Sequence, residues 1–67
     1  MNIYVNGNTH STDAEFTIIQ LLKKIEILDV KGVAIAVNEE IIPKNEWEIF
    51  FLKENDKVLI ITATKGG

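Results

Sequence analysis

The chain reads as one α+β domain, a mixed sheet of four to five strands packed on a single helix, and three features of its sequence predict this. Apolar residues alternate with polar or small ones in the opening stretch 1–6 and again around 33–37, the period of a strand with one buried face. A single stretch, 17–28, carries its apolar residues at helical spacing instead. With 67 residues the chain has room for one core, burying about 60% of the surface it exposes unfolded, and no room for an enclosed active site.

Met1, Ile3 and Val5 alternate with Asn2, Tyr4 and Asn6, so the first strand begins at the first residue. Asn6-Gly7 supplies the two positive-φ positions of a type I′ turn, and Asn8 to Thr12 should return antiparallel as a polar edge strand. His10 lies on that strand with no second His and no paired acid near it, the setting of a solvated side chain rather than a catalytic one.

The helix start is well marked. Thr17 and Gln20 fit a capping box, and Phe16 and Leu21 take the positions of a hydrophobic staple, so the helix should begin at Ile18. Thr12 and Glu15 form a competing box, but the later start gives Phe16 an apolar partner. Ile18, Leu21, Leu22, Ile25 and Leu28 then share one buried stripe, with Gln20, Lys23, Lys24 and Glu26 in water.

Gly32 closes the connection that follows, and Val33, Ile35 and Val37 alternate with Ala34 and Ala36 as a third strand. If the branched side chains face the helix, the other face shows only methyl groups. A flat surface open to a partner would look like this, and so would one packed under a loop. Glu39 and Glu40 should make the next turn and Ile41-Ile42 a very short strand that Pro43 ends. Two neighbouring carboxylates in a tight turn point apart and stay hydrated, which leaves them untuned for acid or base work.

Asn45 is placed to cap one helical turn carrying Trp47, and Ile49, Phe50 and Phe51 suggest a lid over one end of the core. Asn55-Asp56 should turn the chain into a last strand from Val58 to Thr64. Val58 and Ile60 then join Ile3, Val5, Val33 and Ile35 in the core. On the opposite face lie Leu59, Ile61 and Ala63 beside Tyr4, Ala34 and Ala36, an apolar and uncovered surface. The order hairpin, helix, strand, short strand, turn, strand, with first and last strands parallel at the centre, is the ubiquitin-like β-grasp arrangement.

Composition narrows the function. The net charge is −3, and the seven basic residues are all Lys, scattered rather than striped, which argues against nucleic acid. There is no Cys to form a disulfide, a thiolate metal site or a nucleophile, and no metal site is expected. No apolar run approaches the roughly 20 residues of a membrane span, and Met1 opens into a strand pattern rather than a signal peptide. A cytoplasmic, monomeric protein that contacts no membrane is the expectation.

The unusual stretch is the end, Thr64-Lys65-Gly66-Gly67, where side chains run out directly after a β-branched strand. Two glycines make a thin thread that can enter a channel closed to branched residues and present its α-carboxylate there. A frayed terminus is the plainer alternative.

Over its whole length the sequence also resembles a known family, the sulfur carrier proteins of thiamine thiazole synthesis, usually called ThiS. The resemblance is carried by Met1 to Gly7, the Thr17-x-x-Gln20-Leu21-Leu22 helix start, Val33 to Asn38, Ile42-Pro43 with Trp47, the Asn55-Asp56 turn and the terminal Gly66-Gly67. Asn55 stands where the family usually has glycine, and Asn tolerates the left-handed backbone that such a turn needs. The resemblance implies a carrier, not an enzyme: a ThiF-like activating adenylyltransferase adenylates Gly67 with ATP, sulfur from a cysteine desulfurase or other donor replaces AMP, and the thiocarboxylate serves a ThiG-like thiazole synthase. ATP and Mg belong to the activating partner, for this chain has no Gly-rich phosphate loop and binds no cofactor of its own. Gly66 and Lys65 would form the tail, and Tyr4, Ala34, Ala36, Leu59, Ile61 and Ala63 the partner-binding face. The alternatives are a carrier like the small subunit of molybdopterin synthase, or a β-grasp interaction module whose tail is unused.

Overall fold

Among the described residues, five strands assemble into one mixed sheet with a single helix packed against one of its faces. The computed structural model describes residues 1–63, which form β1 (Asn2–Val5), β2 (Asn8–Ser11), α1 (Ile18–Lys24), β3 (Val33–Val37), β4 (Glu40–Ile42), a 3-10 turn (Lys44–Glu46) and β5 (Lys57–Thr62). The strand order is β2-β1-β5-β3-β4. β1 and β5 are parallel at the centre, with Tyr4 beside Lys57 and Val5 beside Val58, and the other neighbours are antiparallel. This is the predicted β-grasp, in its five-stranded form. No described helix is long and apolar enough to cross a membrane.

The predicted local signals act where expected at the first turn and the helix start. Asn6 and Gly7 both have positive φ, and Val5 pairs with Asn8 across a two-residue loop. Thr17 and Gln20 make the capping box in both directions. The remaining early amides of α1 find carbonyls in the segment after the 3-10 turn: Ile18 N–H donates to Phe50 and Ile19 N–H to Trp47, each at 3.2 Å. The first three amides of the helix are therefore all bonded, and the 47–50 segment is fastened to the helix start.

Ile18, Leu21 and Leu22 bury fully against the inward residues of the sheet, Ile3, Val5, Val33, Ile35, Val37, Val58 and Ile60. Trp47 closes one end, and its indole N–H donates to the Ile42 carbonyl at 2.9 Å, so its polar atom is satisfied inside the core.

Several expectations need correction. The helix stops at Lys24, because Glu26 adopts a left-handed φ of 65° and the chain closes a Schellman motif. In it Glu26 N–H donates to the Lys23 carbonyl at 3.1 Å and Ile27 N–H to the Leu22 carbonyl at 2.9 Å. Leu28 thus falls off the buried stripe and is 80% exposed. The turn between β3 and β4 is centred on Asn38-Glu39, both at positive φ, so Glu40 belongs to β4. Asn45 lies within the 3-10 turn, whose first flanking residue is Pro43 with no side-chain cap. Of the expected lid only Trp47 is buried and Phe50 partly so, while Ile49 and Phe51 are exposed. β5 starts one residue early, at Lys57, and runs to Thr62; Thr64 lies outside the described residues.

Candidate functional site

The face of the sheet turned away from α1 is apolar and uncovered along its centre. Strand alternation places Lys57, Leu59 and Ile61 on that face of β5, and register brings their neighbours beside them. Leu59 lies opposite Ala36, Ile61 opposite Ala34, and Tyr4 is beside Lys57. Leu59 is 49% and Ile61 50% exposed, and Tyr4 and Ala34 are also exposed. Five of the six expected face residues therefore come together as neighbours on three adjacent strands.

Ala36 is on this face but is not open, being only 6% exposed. It sits in register between Leu59 and Ile41, whose larger side chains flank a single methyl group. Ile41, 64% exposed, extends the apolar surface onto β4 and was not singled out from the sequence. The signal was present: Pro43 fixes the end of β4, and with Ile42 inward Ile41 must point outward. Ala63 follows β5 immediately, is exposed, and holds the exit of the strand to β3 through its N–H, which donates to the Gly32 carbonyl at 2.9 Å.

At the start of β5, remote from that exit, the face dips into a shallow hollow floored by Tyr4, Ala36 and Leu59. The Asn6-Gly7 and Asn38-Glu39 turns wall it on two sides. A polar clasp fixes this end. The nearly buried Asp56 carboxylate accepts from Asn38 Nδ2 at 2.9 Å and from Lys53 N–H at 2.8 Å, while Asn38 Oδ1 accepts from Lys57 N–H at 3.0 Å. The β3–β4 turn and the turn into β5 are thereby locked together, and the hollow keeps its shape.

Among the described residues no group of three or more His, Asp or Glu is placed to hold a metal. His10 stands on edge strand β2 opposite Ile3. Gly67, Gly66 and Lys65 lie outside the described residues, and the strand that leads to them ends at Thr62.

A five-stranded β-grasp with one helix on its inner face and an apolar outer face defines a protein of the ubiquitin-like class. Within that class the chain belongs to the ThiS family, whose model matches residues 2–67. It is 27% identical, over the full length of both chains, to the sulfur carrier protein ThiS of Escherichia coli K12. The crystal structure of the thiamine biosynthesis protein ThiS from Geobacter metallireducens is similar at a TM-score of 0.82, with 26% identity and full coverage of both chains. A solution structure of a thiamine biosynthesis protein from the same organism shares the fold at a TM-score of 0.78 and 23% identity, covering all of this chain and 88% of that one.

Proposed function

We propose that this chain is a sulfur carrier of thiamine biosynthesis, a protein co-substrate in the cytoplasm that partner enzymes act upon. The family match across residues 2–67, which includes both terminal glycines, supports this most. A carboxylate resists attack until one of its oxygens becomes a good leaving group. An activating adenylyltransferase would supply ATP and Mg, join the Gly67 carboxylate to AMP and release pyrophosphate. Sulfur from a cysteine desulfurase or another donor then takes the place of AMP, and the thiocarboxylate donates that sulfur to a thiazole synthase. Gly66 keeps the thread narrow and Lys65 sits one residue outside the narrow part.

The outer sheet face, with Tyr4, Ala34, Leu59, Ile61 and Ala63 around the covered Ala36, docks the activating enzyme and the synthase in turn. An apolar surface beside the strand that leads into the tail aims the thread without using it for affinity. The two partners share this surface and compete for it.

Incubation with the activating enzyme, ATP and a sulfur donor, followed by intact-mass measurement, tests the proposal. The expected product gains the mass difference of one sulfur for one oxygen, located at Gly67. A chain that binds the enzyme yet is never adenylated would contradict it.

A further inference from the structure

The edge of β5 carries a backbone pattern that the sheet face does not use. Tyr4 N–H donates to the Asp56 carbonyl and Asn6 N–H to the Val58 carbonyl, both at 2.9 Å, as regular rungs of the parallel β1–β5 ladder. The next rung is made by a side chain. Asn6 has positive φ, where the main chain turns off into β2, and its carboxamide stands in for the peptide that would have continued β1. Asn6 Oδ1 accepts from Ile60 N–H at 2.7 Å, and Nδ2 donates to the Ile60 carbonyl at 3.1 Å.

On the other side of β5, Asn38 N–H donates to the Lys57 carbonyl at 2.8 Å and Ala63 N–H to the Gly32 carbonyl at 2.9 Å. Residues 57, 59, 61 and 63 thus bond toward β3, residues 58 and 60 bond toward β1, and residue 62 faces the β1 side. Thr62 N–H and C=O point past the Asn6 rung, to a side where no described residue bonds them. An open ladder edge of this kind is a template for another strand.

We propose that an extended segment of the adenylating partner adds to this edge as a strand, with Thr62 N–H and C=O as its first rung. This rests on the carrier function proposed above and specifies how the partner grips the tail. The occupant is a main-chain segment because Lys65, Gly66 and Gly67 offer few side-chain features to recognise, whereas a ladder reads only backbone. It begins at Thr62 because Ile60 is already held by Asn6, and Thr62 is the next residue of β5 whose N–H and C=O face that side with no described partner. The Asn6 carboxamide closes the rung before it and so sets where the added strand can start.

Amide hydrogen exchange on the labelled 67-residue chain, free and bound to the activating enzyme without ATP, tests this. Thr62 N–H should exchange rapidly in the free chain and at least tenfold more slowly in the complex, while Ile60 N–H, held by Asn6, is protected in both. Thr62→Pro supplies a second measurement, since it removes the outward N–H without breaking a bond to β3. It should melt near the parent and be adenylated at least fivefold less efficiently. A complex that forms with Thr62 N–H still unprotected, or a folded Thr62→Pro chain adenylated at the parent rate, overturns strand addition and leaves the carrier function standing. A chain that forms no complex overturns both. If Thr62→Pro does not fold, the exchange measurement decides alone.

Discussion

Asn38 and Asp56, eighteen positions apart, are joined side chain to side chain at 2.9 Å, so that two turns at one end of the sheet become a single polar unit. The carboxylate also accepts from Lys53 N–H, and Asn38 Oδ1 accepts from Lys57 N–H. Asp56→Ala leaves two donors of this clasp, Asn38 Nδ2 and Lys53 N–H, to find water or go unpaired. It should lower stability by about 1–3 kcal/mol, measured as a shift in denaturation midpoint. An unchanged midpoint would mean that the clasp shapes the hollow without holding the fold.

The helix makes a second test through two leucines. Leu22 is fully buried among the sheet residues, and Leu22→Ala should cost roughly 2–5 kcal/mol, a large part of the stability of so small a domain. Leu28 lies beyond the helix end in solvent, and Leu28→Ala should stay within about 0.5 kcal/mol. Equal effects in urea titrations would place the helix end wrongly.

Glu26 holds the left-handed position of the Schellman motif at φ 65°, a conformation that costs a residue with a Cβ about 1–2 kcal/mol. Glu26→Gly should relieve that strain, partly offset by a more flexible unfolded chain, for a net gain of about 0.5–1 kcal/mol. A rise in melting temperature is the expected result, and a fall would show that the Glu26 side chain contributes more than its backbone costs.

These cases show what the sequence could and could not reveal. The helix start was legible because Thr17 and Gln20 bond within four residues of each other, and the first hairpin because Asn-Gly prefers the positive φ that its turn needs. The parallel centre followed from two long alternating strands. The helix end was not legible, since Glu26 and the bonds that hold it left-handed are set by the surrounding chain, not by a preference of glutamate. The same holds for Glu39, whose positive φ moves the second turn one residue toward β3 and puts Glu40 into β4. On the outer face, alternation correctly grouped Tyr4, Ala34, Leu59 and Ile61. It also implied an outward Ile41 beside them, but it could not show that a methyl group at Ala36 would be covered by its neighbours across the strands.

Ile61 stands half-exposed at the centre of the proposed docking surface, opposite the small Ala34, so a charge there stays in water in the free chain. Ile61→Asp should keep the melting temperature near that of the parent and weaken binding of the activating enzyme by more than about 1 kcal/mol. The synthase should lose affinity in parallel. Titration of both partners against this variant checks the shared surface, and parent-like affinity for either one removes that partner from it.

The central claim is that Gly67 alone carries the chemistry, and intact mass after reaction with the activating enzyme, ATP and a sulfur donor tests it most directly. The parent should gain the mass of sulfur exchanged for oxygen. Gly66→Val should dock but react poorly, because a branched side chain is too wide for the channel. Deletion of Gly67 should leave binding of the folded body intact and abolish the mass change. A chain lacking Gly67 that still accepts sulfur would contradict the carrier account at its base.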